Sequence, residues 1–374
     1  MACIALSISQ KDICKSLRKD SDMNIERRTF LKGIAAGAAT ASLPSFAAKK
    51  PAEVRAMLYH WGLNQWGESL PEGIKSIATG RLCNTEVKFS DDVWKILVKE
   101  TIAKKMNTLV IDVGEFPVYP SHPELAVKGS RKPEWILKEV RRLKALGLEV
   151  IPKLNFSAGH DAWLGEYSRM LTTKPYYQVC RDVIRDTYEM FDKPRYMHIG
   201  YDEESFGHQR CFKCVRTDEL WWHDFLFFIN TVESHGMRAW MWSDYGWRHP
   251  EFVEKCPLSV VQNNWYYDED LDGFDLATMK KKCLSRNILE LFIKLDKRGF
   301  DQIPCSSNWC SQARIKAGVG NDKCMGELVK FCRENISPSH LKGFMMAPWT
   351  NCASKGGPLS RNLEGISQLA AALR

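Results

Sequence analysis

The chain contains 374 residues with a formal net charge of +8, and 26% of its residues are charged. The basic residues are scattered along the sequence, which excludes the concentrated basic stripe of a nucleic-acid-binding protein. No apolar stretch after residue 47 approaches the roughly 20 residues that span a bilayer, which excludes a stable membrane span in that part of the chain.

The first element in chain order is a targeting segment. Residues 26–47 read ERRTFLKGIAAGAATASLPSFA, in which the twin arginine Arg27–Arg28 precedes a mildly apolar run rich in alanine and glycine. Ser45 and Ala47 are small residues at the −3 and −1 positions of a plausible cleavage site. This order is typical of a bacterial twin-arginine export signal. It predicts a cleaved region at residues 1–47, the twin-arginine export machinery as a partner, and a periplasmic or extracellular location.

Residues 48–374 form the predicted mature protein, which carries a net charge of +5 whether translation starts at Met1 or at Met23. Eleven cysteines remain in this part, an odd number that leaves at least one thiol unpaired within a monomer. Cys211 and Cys214 form a CxxC pattern, but a structural zinc site needs about four ligands. Ordinary thiols or a local disulfide are therefore the expected interpretation of that pattern.

Short apolar runs alternate with amphipathic helical patterns along the mature chain. The predicted strands are Arg55–His60, Thr108–Val113, Glu149–Asn155, Tyr196–Tyr201, Arg238–Ser243, Ser259–Trp265, Gln302–Ser307 and Gly343–Trp349. The predicted helices between them include Asp92–Lys105, Glu134–Leu146, Tyr177–Met190 and Leu220–His235. Eight strand–helix repeats, none with a glycine-rich phosphate loop, predict an α/β fold of the (β/α)8 TIM-barrel class, with residues 48–374 as its single catalytic domain.

Catalytic groups of such barrels gather at the carboxyl ends of the strands. The fourth predicted strand ends in MHIGYDEE, which brings Asp202, Glu203 and Glu204 to that edge. Aromatic and polar side chains follow other strands: His160 the third, Trp242 and Asp244 the fifth, Trp265 and Tyr266 the sixth, Trp309 the seventh and Trp349 the eighth. Indole faces beside carboxylates and amides suit a sugar, so we predict an oligosaccharide or glycan substrate. The alternative is an aromatic layer that only caps the barrel core.

The segment HIGYDE, from His198 to Glu203, resembles the HxGGDE signature of glycoside hydrolase family 20, the β-N-acetylhexosaminidases. The segments RAMLYHWG, HPELAVKGS, VIPKLNFSAGH, WMWSDY and NNWYY resemble further stretches of that family in the same order, from about Arg55 to Trp349. The resemblance implies that Arg55 binds the sugar and that His160 is the histidine of the third-strand motif. It also implies a role in sugar recognition for Trp242, Trp265, Trp309 and Trp349.

The sequence departs from the family pattern at several positions. Tyr201 replaces the second glycine of the signature, and Lys153 and Asn155 replace acidic residues of the third-strand motif. The family tyrosine that holds an acetamido group is absent after the seventh strand, where residues 309–312 read WCSQ, and Asn351 replaces a glutamate. The sequence therefore predicts a divergent branch in which Tyr201, Tyr266 or Tyr267 takes the place of the missing tyrosine.

The resemblance implies substrate-assisted retaining hydrolysis, in which the acetamido oxygen of the sugar attacks the anomeric carbon. Asp202 would orient that acetamido group, and Glu203 would protonate the leaving oxygen and then activate water. A neighbouring carboxylate and partial burial raise the pKa of a glutamate, which suits a general acid. Glu204 is expected to be solvated or to anchor the loop, and His198 is either a core histidine or a site residue.

Two other interpretations remain open. A carbohydrate-binding pseudoenzyme would keep the barrel and the aromatic mouth without turnover. A metal-dependent hydrolase would use His160, His198, Asp202 and Glu203 as ligands, with two histidine nitrogens and a carboxylate around one ion. The sequence favours a glycosidase that needs no cofactor and no metal.

Overall fold

The computed structural model describes residues 52–63, 84–205, 215–268, 271, 284–310 and 321–374, all within one compact unit, Ala52–Arg374. The strands are β1 (Val54–His60), β2 (Thr108–Asp112), β3 (Glu149–Lys153), β4 (Tyr196–His198), β5 (Arg238–Trp242), β6 (Val261–Asn263), β7 (Cys305–Ser306) and β8 (Gly343–Met346). The helices are α1 (Asp91–Ala103), α2 (Pro133–Ala145), α3 (Lys174–Met190), α4 (Asp218–Ser234), α5 (Phe252–Lys255), α6 (Leu284–Arg298), α7 (Cys324–Asn335) and α8 (Gly357–Ala372). The boundary predicted at residue 47 lies outside the described residues.

The eight strands form one parallel sheet in the order β6-β5-β4-β3-β2-β1-β8-β7. Isolated parallel bridges from Gln262 to Gln302 and from Trp265 to Cys305 connect the β6 side of the sheet to the β7 side. The sheet therefore curls into a nearly closed barrel with a helix after each strand, which confirms the predicted (β/α)8 fold.

Alternation along the strands separates two apolar layers. Ala56 and Leu58 of β1 point into the barrel with Trp240 and Trp242 of β5. Met57 and Tyr59, at the intervening positions of β1, belong to the larger layer between the sheet and the surrounding helices. Because both faces of the sheet are covered, the interior positions of most strands are apolar, and these strands appear in the sequence as short apolar runs.

Local signals fix where several helices begin. The Ser90 side chain accepts a hydrogen bond from the Val93 amide before α1, and Thr173 does the same for the Tyr176 amide before α3. Proline occupies the first turn of α2, where its missing N–H costs no intrahelical bond. None of the helices in the described ranges has the length and apolar character that a bilayer crossing requires.

Among the described residues, Cys180, Cys256, Cys305, Cys332 and Cys352 are buried thiols that form no disulfide. Burial raises the pKa of each of these thiols, to about 12 at Cys352 and well above the ordinary value at Cys332. The fold of the described residues is thus held by packing and hydrogen bonds at these positions. Cys211 and Cys214 lie outside the described residues.

Candidate active site

The chain leaves β4 through an unusual backbone segment. Gly200, Tyr201 and Glu203 have φ values of 67°, 72° and 53°, in the left-handed region that favours glycine. A Cβ atom at Gly200 would lie 2.4 Å from the side chain of Asn155, so only glycine fits there. These dihedrals end β4 at His198, three residues before the predicted end, and turn the acidic residues toward the barrel mouth.

Tyr201 adopts a glycine-like conformation because its side chain is locked in the helical layer. The ring is 1% exposed and packs against Trp221, Phe225 and Phe228, with the Arg216 guanidinium over its face. A left-handed non-glycine residue costs about 1–3 kcal/mol, which the aromatic burial offsets. Because its side chain points away from the mouth, Tyr201 does not replace the missing tyrosine.

Asp202, Glu203 and His160 meet at the carboxyl end of the barrel. The Nε2 atom of His160 lies 3.0 Å from Glu203 Oε2 and 3.9 Å from Asp202 Oδ2. Burial disfavours the imidazolium, but the charge of Asp202 and the hydrogen bond to Glu203 outweigh it and raise the pKa of His160. The histidine therefore bridges the two carboxylates, and their negative charges favour its protonated form.

Asn155, the polar residue at the end of the third predicted strand, is a site residue. Its Nδ2 donates to Asp202 Oδ1 at 2.7 Å, and its Oδ1 accepts the amides of Ser157 and Tyr201, both at 3.1 Å. One amide side chain therefore fixes both the loop after β3 and the loop after β4. A carboxylate at this position could not donate to Asp202, so the asparagine suits this acidic pair.

Asp244, in the loop after β5, is the third carboxylate of the cluster. Its Oδ2 accepts the backbone amide of Glu203 at 2.9 Å, while its buried Oδ1 has no hydrogen-bond partner among the described residues. Desolvation and the negative charge of Asp202 raise the pKa of Asp244 to about 8. At neutral pH the side chain is therefore mostly protonated, which limits the negative charge around Asp202.

A row of polar residues lies directly beneath this cluster. His60, Asp112, Lys153 and His198 end β1 to β4 and are paired with one another across the parallel ladder. Lys153 Nζ lies 2.5 Å from Asp112 Oδ2, and both side chains are at most 1% exposed. Burial raises the pKa of Asp112, and Lys153 opposes this effect. The lysine that replaces a family acid thus forms a neutralising pair under the mouth.

His198 belongs to this row as a core histidine, which decides between the two roles that the sequence left open. Its Nδ1 accepts the Gly200 amide at 3.0 Å, so its Nε2 carries the proton and faces Asn263 Oδ1 at 3.2 Å. Burial and the nearby Lys153 charge lower the pKa of His198 well below its ordinary value. The side chain is neutral, with both ring nitrogens occupied inside the protein.

Aromatic side chains line the mouth beside the carboxylates. Trp349 donates its Nε1 proton to the Tyr267 hydroxyl at 3.2 Å, and its ring lies 5.6 Å from that of Trp242. Tyr267 stacks on Trp265 with the ring centroids 4.7 Å apart. Burial is the main cause of the raised pKa of Tyr267, and the charges of Asp202 and Glu203 contribute to it. Tyr267 therefore lies within electrostatic reach of the acidic pair.

Three residues assigned to the site from the sequence lie elsewhere or at its rim. Arg55 is at the amino end of β1, at a position of the same parity as Met57 and Tyr59, which face the helical layer. Tyr266, which follows β6, also packs in that layer. Trp309 follows β7 and is 38% exposed. The structure thus groups Asp202, Glu203, His160, Asp244, Trp242, Trp265 and Trp349, and it adds Asn155 and Tyr267.

His160, Asp202 and Glu203 also form the group of described residues best arranged to contact a cation. One ligand atom from each lies within 4.8 Å of the others. The group contains a single histidine, because His198 is held by Gly200 and Asn263. Within the described ranges, the two-histidine centre considered from the sequence is therefore not assembled.

Solved structures of several glycosidases share this architecture. The GH20 exo-β-N-acetylglucosaminidase from Vibrio harveyi is 13% identical, with a TM-score of 0.53, over 84% of this chain and 54% of that chain. The β-N-acetylhexosaminidase from Bacteroides fragilis gives the same identity and TM-score over 84% of this chain and 65% of that one. The pneumococcal virulence factor StrH is 11% identical, with a TM-score of 0.53, over 86% and 84% of the two chains.

The chain has the fold of the family 20 glycoside hydrolases. It spans about half the length of the Vibrio enzyme and about two thirds of the Bacteroides enzyme. None of the curated protein sequences matches it. At 11–13% identity the likeness to family 20 structures concerns the fold, and the chemistry has to be argued from the residues of this chain.

The amino-terminal prediction has independent support. A family model for the twin-arginine translocation pathway signal sequence matches residues 24–44. This match confirms the export signal recognised from Arg27–Arg28 and indicates export across the membrane to the periplasm or the cell exterior. The cleavage site after Ala47 stays a prediction.

Proposed function

We propose that this protein is an exported glycoside hydrolase that removes β-linked N-acetylhexosamine, or a closely related sugar, from a glycan by substrate-assisted retaining catalysis. The observation that carries the proposal is the His160 bridge, 3.0 Å from Glu203 and 3.9 Å from Asp202, at the carboxyl end of β4. Asp202 and Glu203 are adjacent in the sequence and leave one short piece of backbone, so they cannot easily straddle a sugar ring. They are therefore poorly placed to act as an acid and a nucleophile on opposite faces, and a nucleophile supplied by the substrate removes that need.

Glu203 is the proposed acid and base. With His160 protonated, the Glu203–His160 pair holds one proton across a 3.0 Å hydrogen bond. Transfer of that proton to Glu203 leaves a neutral imidazole and gives the carboxylic acid that protonates the glycosidic oxygen. The resulting carboxylate then removes a proton from the water that opens the oxazolinium intermediate.

Asp202 is the proposed partner of the acetamido group. Its Oδ1 is fixed by Asn155 at 2.7 Å, so the carboxylate has little rotational freedom and needs no reorganisation when positive charge develops. The protonated form of Asp244 keeps a third negative charge away at neutral pH. Asp202 is thus the carboxylate that faces the oxazolinium nitrogen in this proposal.

Tyr267 is the proposed replacement for the tyrosine that family 20 enzymes carry after the seventh strand. It is the one of the three candidate tyrosines that lies in the mouth, because Tyr201 and Tyr266 pack in the helical layer. Its oxygen accepts the Trp349 Nε1 proton at 3.2 Å, and its own hydroxyl proton is the one that would be donated to an acetamido oxygen.

The test is release of nitrophenol from aryl β-glycosides with and without a 2-acetamido group, using mature protein. Cleavage confined to the acetamido sugars and reduced at least about 10²-fold in Glu203→Gln is the expected result. Tyr267→Phe should reduce kcat/KM on the acetamido sugars alone. Tyr196→Phe, which removes a hydroxyl at the amino end of β4, is the matched control, and its kcat/KM on the acetamido sugars should equal that of wild type. Equal cleavage of sugars lacking the acetamido group would overturn the substrate-assisted mechanism.

A carbohydrate-binding protein without turnover is the second candidate, and the His160–Glu203 hydrogen bond is the observation that favours it. An imidazolium that stays paired with Glu203 keeps that carboxylate ionised and unable to donate a proton. This candidate predicts no nitrophenol release from any substrate, together with calorimetric binding of N-acetylhexosamine that Trp349→Ala weakens.

A further inference from the structure

The third carboxylate after β4, Glu204, is buried although it follows two site residues. Its side chain is 1% exposed, and it forms a two-oxygen contact with Arg216, whose side chain is fully buried. Arg216 Nε lies 3.0 Å from Glu204 Oε1, and Arg216 Nη2 lies 3.1 Å from Oε2. The backbone amide of Arg216 also donates to Oε1 at 3.0 Å. Such a pair combines charge with fixed geometry.

The same pair reaches the loop that carries His160. Glu204 Oε2 accepts the amide of Ala158 at 2.6 Å, and Arg216 Nη2 donates to the Phe156 carbonyl at 2.6 Å. Both contacts lie in the segment between Asn155 and His160. The ion pair is therefore a direct link between the loop after β3 and the loop after β4, and it lies one residue from Glu203 and two residues from His160.

Asp224 of α4 anchors the other side of Arg216. Its Oδ2 lies 3.2 Å from Arg216 Nη1, and it also accepts hydrogen bonds from Tyr177 and Thr172 of the α3 region. Burial favours the protonated acid, but Arg216 and these hydrogen bonds hold the pKa of Asp224 below its ordinary value. Arg216 is thus fastened to the helical layer as well as to both loops.

We infer that Glu204 and Arg216 are positioning residues that set the distance between Glu203 and His160. Glu203 has a left-handed φ of 53°. It contacts His160, in the loop after β3, and Asp244, in the loop after β5. The Glu204–Arg216 link holds the loop after β3, which carries His160, to the loop after β4, which carries Glu203. A displacement of about 1 Å at a reacting group can reduce turnover about 10²-fold. The expected loss of turnover rests on the proposed function, whereas the expected change in the Glu203–His160 distance does not.

The test compares Glu204→Gln and Arg216→Lys with Asp301→Asn. Glutamine removes the charge, and lysine keeps the charge but loses the forked contact. Asp301 also accepts ion pairs, from Arg238 and Lys342, but at the amino end of the barrel, so it controls for the loss of an ion pair far from the mouth. Each variant is first checked for native circular dichroism.

The two readouts are kcat and KM on an aryl N-acetyl-β-glucosaminide, and the His160 pKa from an NMR imidazole titration, assigned by its absence in His160→Gln. Glu204→Gln and Arg216→Lys should each lower kcat about 10- to 100-fold with KM within threefold, and should lower the His160 pKa as Glu203 moves away. Asp301→Asn should leave both readouts unchanged.

A folded Glu204→Gln with the wild-type His160 pKa would overturn the inference whatever its activity. If wild type cleaves no substrate, the proposed function fails, and the NMR comparison still decides the positioning role. If Glu204→Gln does not fold, Arg216→Lys supplies both readouts.

Discussion

Asp244→Asn tests whether the acidic cluster is destabilising near neutral pH. The pKa of Asp244 rises from 3.8 to about 8 through desolvation and the charge of Asp202. Between these two pH values the folded protein holds a proton that the unfolded chain has lost. A group whose pKa is raised by folding contributes stability at low pH, and this contribution is lost as the pH rises through that window.

The magnitude follows from the size of the pKa displacement. One pKa unit corresponds to about 1.4 kcal/mol, so wild type should lose roughly this free energy of unfolding per pH unit between about pH 4 and pH 8. Asparagine keeps the shape of the neutral acid and does not titrate. From pH 5 to pH 7 the stability advantage of Asp244→Asn over wild type should therefore grow by about 3 kcal/mol.

Urea denaturation at pH 5, 6, 7 and 8.5 measures this difference. Asp92→Asn is the matched control, because Asp92 is a carboxylate with a side chain 71% exposed to solvent. The difference in free energy of unfolding between Asp92→Asn and wild type should stay constant across the pH series. A constant difference between Asp244→Asn and wild type across the pH series would refute the assignment of a raised pKa to Asp244.

Three further predictions concern the residues around the cluster. Gly200→Ala should lower Tm by several degrees in calorimetry, because its Cβ would lie 2.4 Å from Asn155; an unchanged Tm would contradict the close contact. Tyr201→Phe should unfold in urea at the wild-type midpoint or above it, since the buried hydroxyl has no hydrogen-bond partner among the described residues; a marked loss would reveal a missing contact. Arg216→Met should cost about 3–5 kcal/mol of unfolding free energy by leaving Glu204 and Asp224 buried without their cation, a loss that Arg216→Lys should partly recover.

The barrel was predictable because each of its strands is buried on both faces and reads as an apolar run ended by polar residues. The acidic pair was predictable for the same reason, since the residues after β4 had to lie at the carboxyl edge. The direction in which individual side chains point was harder to predict. Tyr266 and Tyr267 are adjacent in the sequence after the end of β6, and the isolated bridge from Trp265 to Cys305 fixes the chain so that Tyr266 packs in the helical layer and Tyr267 lies in the mouth.

Arg55 and Glu204 illustrate a second limit of prediction from the sequence, which concerns the position and the partners of a side chain in the fold. Arg55 was assigned to the site by its place in a motif, but a strand of seven residues is about 23 Å long, so the two ends of β1 lie on different sides of the barrel. Glu204 looked like a solvated or loop-anchoring neighbour of the acidic pair. Its anchoring partner, Arg216, is 12 residues away and nothing in the local sequence signals the contact.

The buried thiols of the barrel have a consequence for when the protein folds. A twin-arginine signal sends cargo across the membrane already folded, so the mature fold has to be completed in the reducing cytoplasm. Cys180, Cys256, Cys305, Cys332 and Cys352 take part in the packing as protonated thiols, and no oxidation step is needed at these positions. After export, burial and raised pKa values keep thiolate scarce, and thiolate is the form that reacts with oxidants and disulfides. The same core is therefore compatible with two compartments of opposite redox character.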